Sequence, residues 1–281
     1  MKHILVPTDF SKQADNAVNF AIQTARLFSS EITLLHVFEM SGNMYTDYIG
    51  INKEFTDTVR NDVIQKLEQM KEDIAQREGI VVKWLVYQGG VNAEIRNASE
   101  ENDIDLIIMG THGARGIREN LWGSQTWGVI RQSRIPVMVI PVEYSWKKPE
   151  KLLMATNHFE KKPAILDPLF QLSKIFGAKI QVAVFTETEE EPEFYPEHNR
   201  QIIEYEKELV EEYKDENLST IHLYGEDFEQ TLQNHISKAG VDILAMITYH
   251  RSFLDRMLHP SQTRQMAFHT SIPLLAIPVR E

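Results

Sequence analysis

The sequence predicts an α/β protein of two tandem domains, each a doubly wound parallel sheet with helices on both faces. Three observations support this prediction. The chain of 281 residues is too long for one ordinary domain and suits two of average size. Short apolar runs alternate with amphipathic helical stretches, as in parallel sheets covered by helices. The second part of the chain also repeats the first.

The repeat is visible directly in the sequence. Residues 84–143 recur without gaps at an offset of 137, so that Asp103 to Met109 (DIDLIIM) matches Gly240 to Met246 (GVDILAM). The beginnings match as well, and we align Lys2 to Phe10 (KHILVPTDF) with Lys151 to Phe159 (KLLMATNHF) at an offset of 149. Such a match over so many positions indicates a duplicated domain.

The repeat predicts one domain at residues 1–146 and a second at 147–281. Their junction falls near Ser145 to Pro149, a polar stretch that ends in proline. Neither a helix nor a strand continues easily through such a segment.

The first domain alternates predicted strands with predicted helices. Apolar stripes from Ala14 to Ala25 and from Val59 to Ile74 have spacings of three and four residues, which is typical of helices that pack on a sheet. The predicted strands are His3–Pro7, Glu31–Phe38, Val81–Tyr87, Leu106–Met109 and Val137–Val142.

The second domain repeats this order. A helix is predicted near Gln201 to Tyr213, and the acidic run Glu187 to Glu197, which contains two prolines, indicates a solvated loop. The predicted strands are Leu152–Ala155, Lys179–Phe185, Thr220–Tyr224, Ile243–Ile247 and Leu274–Val279.

The last predicted strand of each domain contains a proline, Pro141 or Pro278. Proline donates no ladder hydrogen bond and therefore favours an edge strand. Two edge strands of similar sequence can pair with each other. We predict that they meet, which makes the chain an intramolecular pseudo-dimer.

Composition narrows the function classes. The formal net charge is −12 and both halves are acidic, which disfavours nucleic acid and anionic membranes as partners. The absence of cysteine excludes disulfides, thiolate catalysis and Cys-ligated zinc. No apolar run has the length of a membrane span or a signal peptide, so we expect a cytoplasmic protein. Small ligands or proteins remain as partners.

A glycine-rich loop follows the fourth predicted strand. Gly110, Gly113 and Gly123-Ser124 give the spacing G-x2-G-x9-G-S, and a helix begins at the serine. Glycines allow a bulky anion to approach the backbone, and the first N–H groups of a helix bind phosphate oxygens. Arg115 and Arg118 in the loop supply positive charge, since the sequence contains no Walker lysine motif. The loop predicts a phosphate cradle.

With this glycine pattern, the chain resembles the universal stress protein family in its tandem two-domain form, over its whole length. The resemblance implies five-stranded sheets of order 3-2-1-4-5, of the adenine nucleotide alpha hydrolase-like type, and pairing of the domains through their last strands. It also implies ATP, with or without magnesium, as the ligand and a role in stress survival. The residues that it places around the nucleotide are Pro7, Thr8, Asp9, Val37, Gly89, Met109, Gly110, His112, Gly113, Gly123, Ser124 and Gln125.

The second domain departs from this pattern, so we expect nucleotide in the first domain only. A branched side chain replaces a glycine of the cradle, and a proline replaces the glycine at the helix start. The correspondences are Asp9 to His158, Gly110 to Ile247, Gly113 to His250, and Gly123 to Pro260.

Plainer roles compete with the ligand roles. The glycine loop could be a tight turn that binds nothing, Asp9 and Ser124 could cap helices, and His112 could donate one hydrogen bond. His250, His259 and His269 are too widely spaced for one helical face, so we expect no metal site. We assign no catalytic residue.

Three functions stay open at this stage. The first is a regulatory ATP-binding protein of the stress response, and the second is a slow ATPase or phosphotransferase that uses His112. The third is a nucleotide-free scaffold that binds another ligand or a protein, with Glu187 to Glu197 as its contact region. A regulatory protein partner and a homodimer also stay open.

Overall fold

A computed structural model describes residues 1–38, 51–111, 124–156, 159–187, 195–215, 217–248 and 271–279. The chain forms two compact units. The first contains residues 1–116 and 123–135, and the second contains residues 117–122 and 136–281. The two units are defined by contacts between residues. The domain boundary at residue 146 was inferred from the sequence repeat and stays a prediction.

The first unit is a parallel sheet with helices. The elements are β1 (His3–Pro7), α1 (Lys12–Phe28), β2 (Glu31–Phe38), α2 (Ile51–Glu78), β3 (Val82–Gln88), α3 (Val91–Glu101), β4 (Leu106–Gly110) and α4 (Ser124–Gln132). The strands lie in the order β3-β2-β1-β4, and each described pair is parallel. The first four predicted strands are confirmed to within a residue at each end, whereas the fifth, Val137–Val142, ends at Ile140.

The second unit contains the last strand of the first half and all described elements of the second half. The elements are β5 (Val137–Ile140), β6 (Lys151–Thr156), α5 (Pro163–Phe176), β7 (Lys179–Glu187), α6 (Tyr195–Tyr213), β8 (Leu218–Gly225), α7 (Phe228–Ala239), β9 (Ile243–Thr248) and β10 (Leu274–Pro278). The strand order is β5-β10-β9-β6-β7-β8, so β6 to β10 have the predicted order 3-2-1-4-5.

The last strands of the two halves pair with each other, as predicted. β5 and β10 run antiparallel, with Leu275 opposite Met138. Pro141 follows β5, and Pro278 lies opposite Thr248 of β9, beyond the antiparallel ladder. The prolines therefore remove no hydrogen bond from this ladder. β10 is the outermost of the five strands of the second half, as predicted, and β5 occupies its open edge opposite β9.

The cores form where the apolar patterns predict them. Ile4, Leu5 and Val6 of β1 are fully buried, since helices cover both faces of a parallel sheet. Most of the two predicted helix stripes is buried as well. The buried members are Ala14, Val18, Ala21 and Ala25 of α1 and Val63, Leu67 and Ile74 of α2.

Backbone hydrogen bonds correct the alignment of the first strands. The N–H of Asp105 donates to His3 O, and the N–H of Asp242 donates to Lys151 O. His3 therefore corresponds to Lys151, an offset of 148, so the offset of 149 is one residue too long. The shared lysines produced the slip, because they matched by letter and not by position in the sheet.

The corrected offset changes the comparison of the two strand ends. Thr8 corresponds to Thr156, and both threonines are buried. Asp9 corresponds to Asn157 and not to His158. Asn157 and His158 lie outside the described residues. The second half thus keeps more of this segment than the sequence alignment indicated.

Candidate functional site

The strand ends of the first unit define its candidate site. Four parallel strands end along one edge of the sheet, and ligands of open α/β sheets bind beyond this carboxyl edge. The structure brings seven of the residues that the resemblance places around ATP to these ends. They are Pro7, Thr8, Asp9, Val37, Gly89, Met109 and Gly110.

Thr8 organises the chain where β1 ends. Its N–H donates to Leu35 O at 2.8 Å, which extends the β1–β2 ladder by one bond. Its Oγ1 accepts the N–H of Phe10 at 3.1 Å, and the residue is 5% exposed. A buried hydroxyl that accepts a local N–H stabilises a tight turn. Thr8 therefore fixes the direction of the loop that follows it.

Asp9 forms the next turn of this loop. Its Oδ1 accepts the N–H of Ser11 at 3.1 Å, as in an Asx turn. The N-cap of α1 is Ser11, whose side chain accepts the N–H of Ala14 at 3.2 Å. The alternative that Asp9 caps this helix is therefore wrong. Asp9 instead accepts a hydrogen bond from Ser11, the residue that caps α1.

The backbone of Val37 faces the β1 side of β2. In a parallel strand, alternate residues direct their N–H and C=O groups to opposite neighbours. Leu35 O accepts from Thr8, which lies on the β1 side, and Phe38 O accepts from Gly89, which lies on the β3 side. Val37 is two residues from Leu35, so its backbone N–H and C=O also face the β1 side. The last registered β1–β2 pair is Pro7 with Leu35. The polar backbone of Val37 thus points past the end of β1.

Thr126 ties the first turn of α4 to the end of β4. Its Oγ1 lies 3.0 Å from Gly110 O and 3.2 Å from Thr111 O, and the residue is 2% exposed. The positive end of the helix dipole is therefore held at the carboxyl end of this strand. The sequence analysis did not assign Thr126 a role. The signal was present, because Ser124-Gln125-Thr126 recurs as Ser261-Gln262-Thr263.

The rest of the predicted cradle lies outside the described residues. This holds for His112, Gly113, Arg115 and Gly123. Ser124 begins α4, and Gln125 is exposed on its first turn.

Phe10 and His36 form an aromatic stack beside the Thr8–Asp9 turn. Their ring centroids are 4.8 Å apart with an interplanar angle of 21°, and Lys66 Nζ lies 5.3 Å from the Phe10 centroid. Phe10 has φ 61°, in the left-handed region. For a residue with a Cβ this conformation costs about 1–2 kcal/mol.

His36 also bonds to the loop directly. Its Nδ1 lies 2.8 Å from Thr8 O, and because a carbonyl only accepts, Nδ1 carries the proton. Burial lowers the pKa of the His36 imidazole, and the bond to Thr8 and the charge of Asp9 oppose the shift without cancelling it. The ring is therefore neutral at physiological pH and acts as a fixed donor.

Gly89 has a counterpart in the second half. Val82 pairs with Ile32 and Leu218 with Ile180, which places Gly89 and Gly225 at equivalent strand ends. They are 136 residues apart, so the gap-free offset of 137 predicted from residue 84 onward is one residue too long in this strand. A Cβ at Gly89 would lie 2.6 Å from Glu94 Oε1, and one at Gly225 would lie 2.4 Å from Thr231 Oγ1. Both glycines therefore make room for a side chain from the first turn of the next helix.

A surface groove of 560 Å³ borders the stack, with Phe10 and Lys66 in its lining. Asp15 and Asp62 also line it. Two carboxylates outweigh one ammonium group, so the groove repels polyphosphate.

The described ranges contain neither a metal-binding cluster nor a membrane-spanning helix. Within these ranges, no group of three or more His, Asp or Glu side chains is placed to hold a metal ion. None of the helices described has both the length and the apolar character of a membrane span.

Comparisons with known proteins agree with this fold. The model of the universal stress protein family matches residues 1–141, half of the chain. Universal stress protein MJ0577 of Methanocaldococcus jannaschii is 33% identical over 153 residues, which cover 50% of this chain and 94% of that protein. Universal stress protein YxiE of Bacillus subtilis is 28% identical over 144 residues, which cover 49% and 97%. The chain belongs to the universal stress protein family.

The whole chain also has a structural counterpart. A universal stress protein from Archaeoglobus fulgidus superposes with a TM-score of 0.77 over 98% of both chains, at 17% sequence identity. At this identity the likeness establishes the fold. The tandem arrangement of two such halves therefore occurs in a solved structure.

Proposed function

We propose that the chain is a regulatory ATP-binding protein of the stress response and that its first domain, residues 1–146, holds the nucleotide. The observation that supports this most is the bond from Thr126 to the carbonyls of Gly110 and Thr111. It holds a helix N-terminus against a strand end that carries no side chain, and such a junction suits a polyphosphate. Magnesium, when present, is held mainly by the phosphates.

The opposite part of the edge suits the adenosine. The backbone N–H and C=O of Val37 point past β1, and an adenine edge offers one acceptor and one donor for such a pair. Asp9 follows the neighbouring strand, and its carboxylate can accept from ribose hydroxyls. The chain thus offers neutral backbone groups to the base and a helix end to the phosphates.

The second half keeps only part of this arrangement. Ile247 stands where the first half has Gly110, and it is 4% exposed within β9. A branched side chain keeps a phosphate away from the backbone. Thr156 is retained at the position of Thr8, so the loss concerns the phosphate side. We therefore propose one nucleotide per chain.

The two alternative functions gain no support from the described contacts. His112, on which an ATPase or phosphotransferase depends, lies outside the described residues. The same is true of residues 188–194 in the acidic loop on which the scaffold depends.

Calorimetry on the nucleotide-stripped protein with ATP and magnesium tests the proposal. We expect one site per chain. Gly110→Ile, which gives the first half the side chain of the second, should weaken ATP binding by at least about tenfold, or ~1.4 kcal/mol. Ile108→Val is the matched control, because Ile108 is a fully buried residue of the same strand. Unchanged affinity in Gly110→Ile, or two sites per chain, would contradict the proposal.

A further inference from the structure

We infer that Phe10 and His36 act as positioning residues, and that their stack holds the Thr8–Ser11 turn in the shape that presents Asp9 to the nucleotide. This inference rests on the proposed function. It assigns a role to two side chains that the glycine motif and the family resemblance leave without one.

The first step is the conformation of Phe10. Among the described residues, four other than glycine have positive φ, and Phe10 is the one aromatic residue of the four. An aromatic side chain has no local means to favour this region, unlike Asn or Asp. Strain of this kind persists only where surrounding contacts impose it, and such contacts are often part of a binding site.

The second step is the set of contacts that impose it. The N–H of Phe10 donates to Thr8 Oγ1, and its ring stacks on His36. The His36 ring in turn donates to Thr8 O. The two side chains and the turn therefore form a closed cycle, in which the ring contact holds the backbone at the residue after Asp9.

The third step is the location of the cycle. His36 immediately precedes Val37, whose backbone faces the proposed base, and Phe10 immediately follows Asp9. The stack thus connects the two segments that would contact adenosine. Lys66 of α2 covers the Phe10 ring from a third element. A ligand that needs Val37 and Asp9 at a fixed separation depends on this connection.

Phe10→Gly separates positioning from folding. Glycine adopts φ 61° without strain, which offsets the lost packing of the ring, so this variant should unfold at a urea concentration close to that of the parent chain. It loses the stack, so ATP affinity should fall about tenfold. Hydrogen exchange at the amides of Ser11 and Ala14 should accelerate, since the turn is no longer held. Ser29→Gly is the matched control, because Ser29 has φ 53° at the end of α1. It should leave ATP affinity unchanged.

A double-variant cycle tests whether the two rings act as one unit. His36→Asn keeps a donor for Thr8 O and removes the ring, and Phe10→Leu removes the aromatic partner. Together they should weaken ATP binding no more than the worse single variant does. Additive losses would overturn the inference, and so would Phe10→Gly with full ATP affinity and unchanged exchange. If the parent chain binds no ATP, the proposed function fails first, and the ligand role of the stack fails with it.

Discussion

Asp105 and Asp242 occupy equivalent positions in the two halves, and each carboxylate accepts two backbone N–H groups where a first strand begins. Asp105 Oδ2 accepts from Lys2 and His3 at 2.5 and 3.1 Å. Asp242 Oδ2 accepts from Glu150 and Lys151 at 2.8 and 3.0 Å. The duplication thus preserved a pair of carboxylate–backbone hydrogen bonds at the amino edge of each sheet, opposite the edge that carries the candidate site.

The hydrogen bonds of Asp242 should contribute more to stability than those of Asp105. Asp242 is 5% exposed, and its Oδ1 also pairs with Lys147 Nζ at 2.5 Å, whereas Asp105 is exposed. Burial opposes the ionisation of Asp242, but these hydrogen bonds outweigh burial and lower its pKa. We predict that Asp242→Ala lowers the free energy of unfolding by about 2 kcal/mol and that Asp105→Ala lowers it less. Urea denaturation measures both, and equal losses would contradict the difference.

Stability should fall as the pH drops below 6.5. Burial, reinforced by the charge of Lys151, lowers the pKa of His235 from 6.5, and its Nε2 bonds to Gln181 Oε1 at 2.6 Å. The unfolded chain then binds a proton at a higher pH than the native chain does. The stability that neutral His235 contributes is therefore complete above pH 6.5 and is lost as the pH falls toward the pKa of this residue in the folded chain. His235→Gln should flatten the dependence of the urea midpoint on pH between about 7.5 and about 5.5. An unchanged slope would contradict this expectation.

The contact between α3 and α4 depends on Gly128. A Cβ at Gly128 would lie 2.0 Å from Asn92 Nδ2, and Asn92 Oδ1 is buried with no hydrogen-bond partner among the described residues. Glycine to alanine in a helix ordinarily gains about 1 kcal/mol. Here we expect Gly128→Ala to cost about 1–3 kcal/mol through overpacking. Asn92→Ala removes the side chain that the new Cβ would meet, so the double variant should regain the stability that Gly128→Ala loses. A gain in thermal stability from Gly128→Ala alone would disprove the close contact.

Glu206 protects the outermost strand of the second unit. Its Oε2 accepts both the N–H and the hydroxyl of Thr220 at 2.6 Å, and β8 has β7 as its strand neighbour among the described elements. An unpaired edge N–H promotes association between sheets. Glu206→Ala should therefore increase self-association in light scattering. Glu208→Ala is the control, because Glu208 lies on the same helix as Glu206 and pairs with Lys161 at an exposed position. Equal scattering from both variants would argue against a protective role.

Much of the fold was predictable because parallel strands buried on both faces are continuous apolar runs, as in Ile4 to Val6 and Leu106 to Ile108. The repeat predicted the pairing of β5 with β10. The alignment slipped at Lys151 because a short strand has no internal feature that fixes its register, whereas the bonds of Asp242 do fix it.

The candidate site was predictable in part. Glycine spacing indicates where a backbone must stay open, and the sequence places Gly110 at the strand end where the structure has it, the last residue of β4. The roles of Thr126, Phe10 and His36 depend on contacts between elements, and sequence distance conceals these. Asp9 was open between two roles because an aspartate near a helix start has the same sequence signature whether it caps the helix or precedes the cap.

The pairing of β5 with β10 also concerns the order in which the polypeptide is synthesised. The first four strands of the first half leave the ribosome before any of the second half exists. β5 follows them, yet Met138 meets Leu275 only after a further domain's length of chain has been translated. Throughout that interval the apolar Val137 to Ile140 segment lacks its antiparallel neighbour. Nascent chains stalled before Leu274 should therefore be the form of this protein most dependent on chaperones.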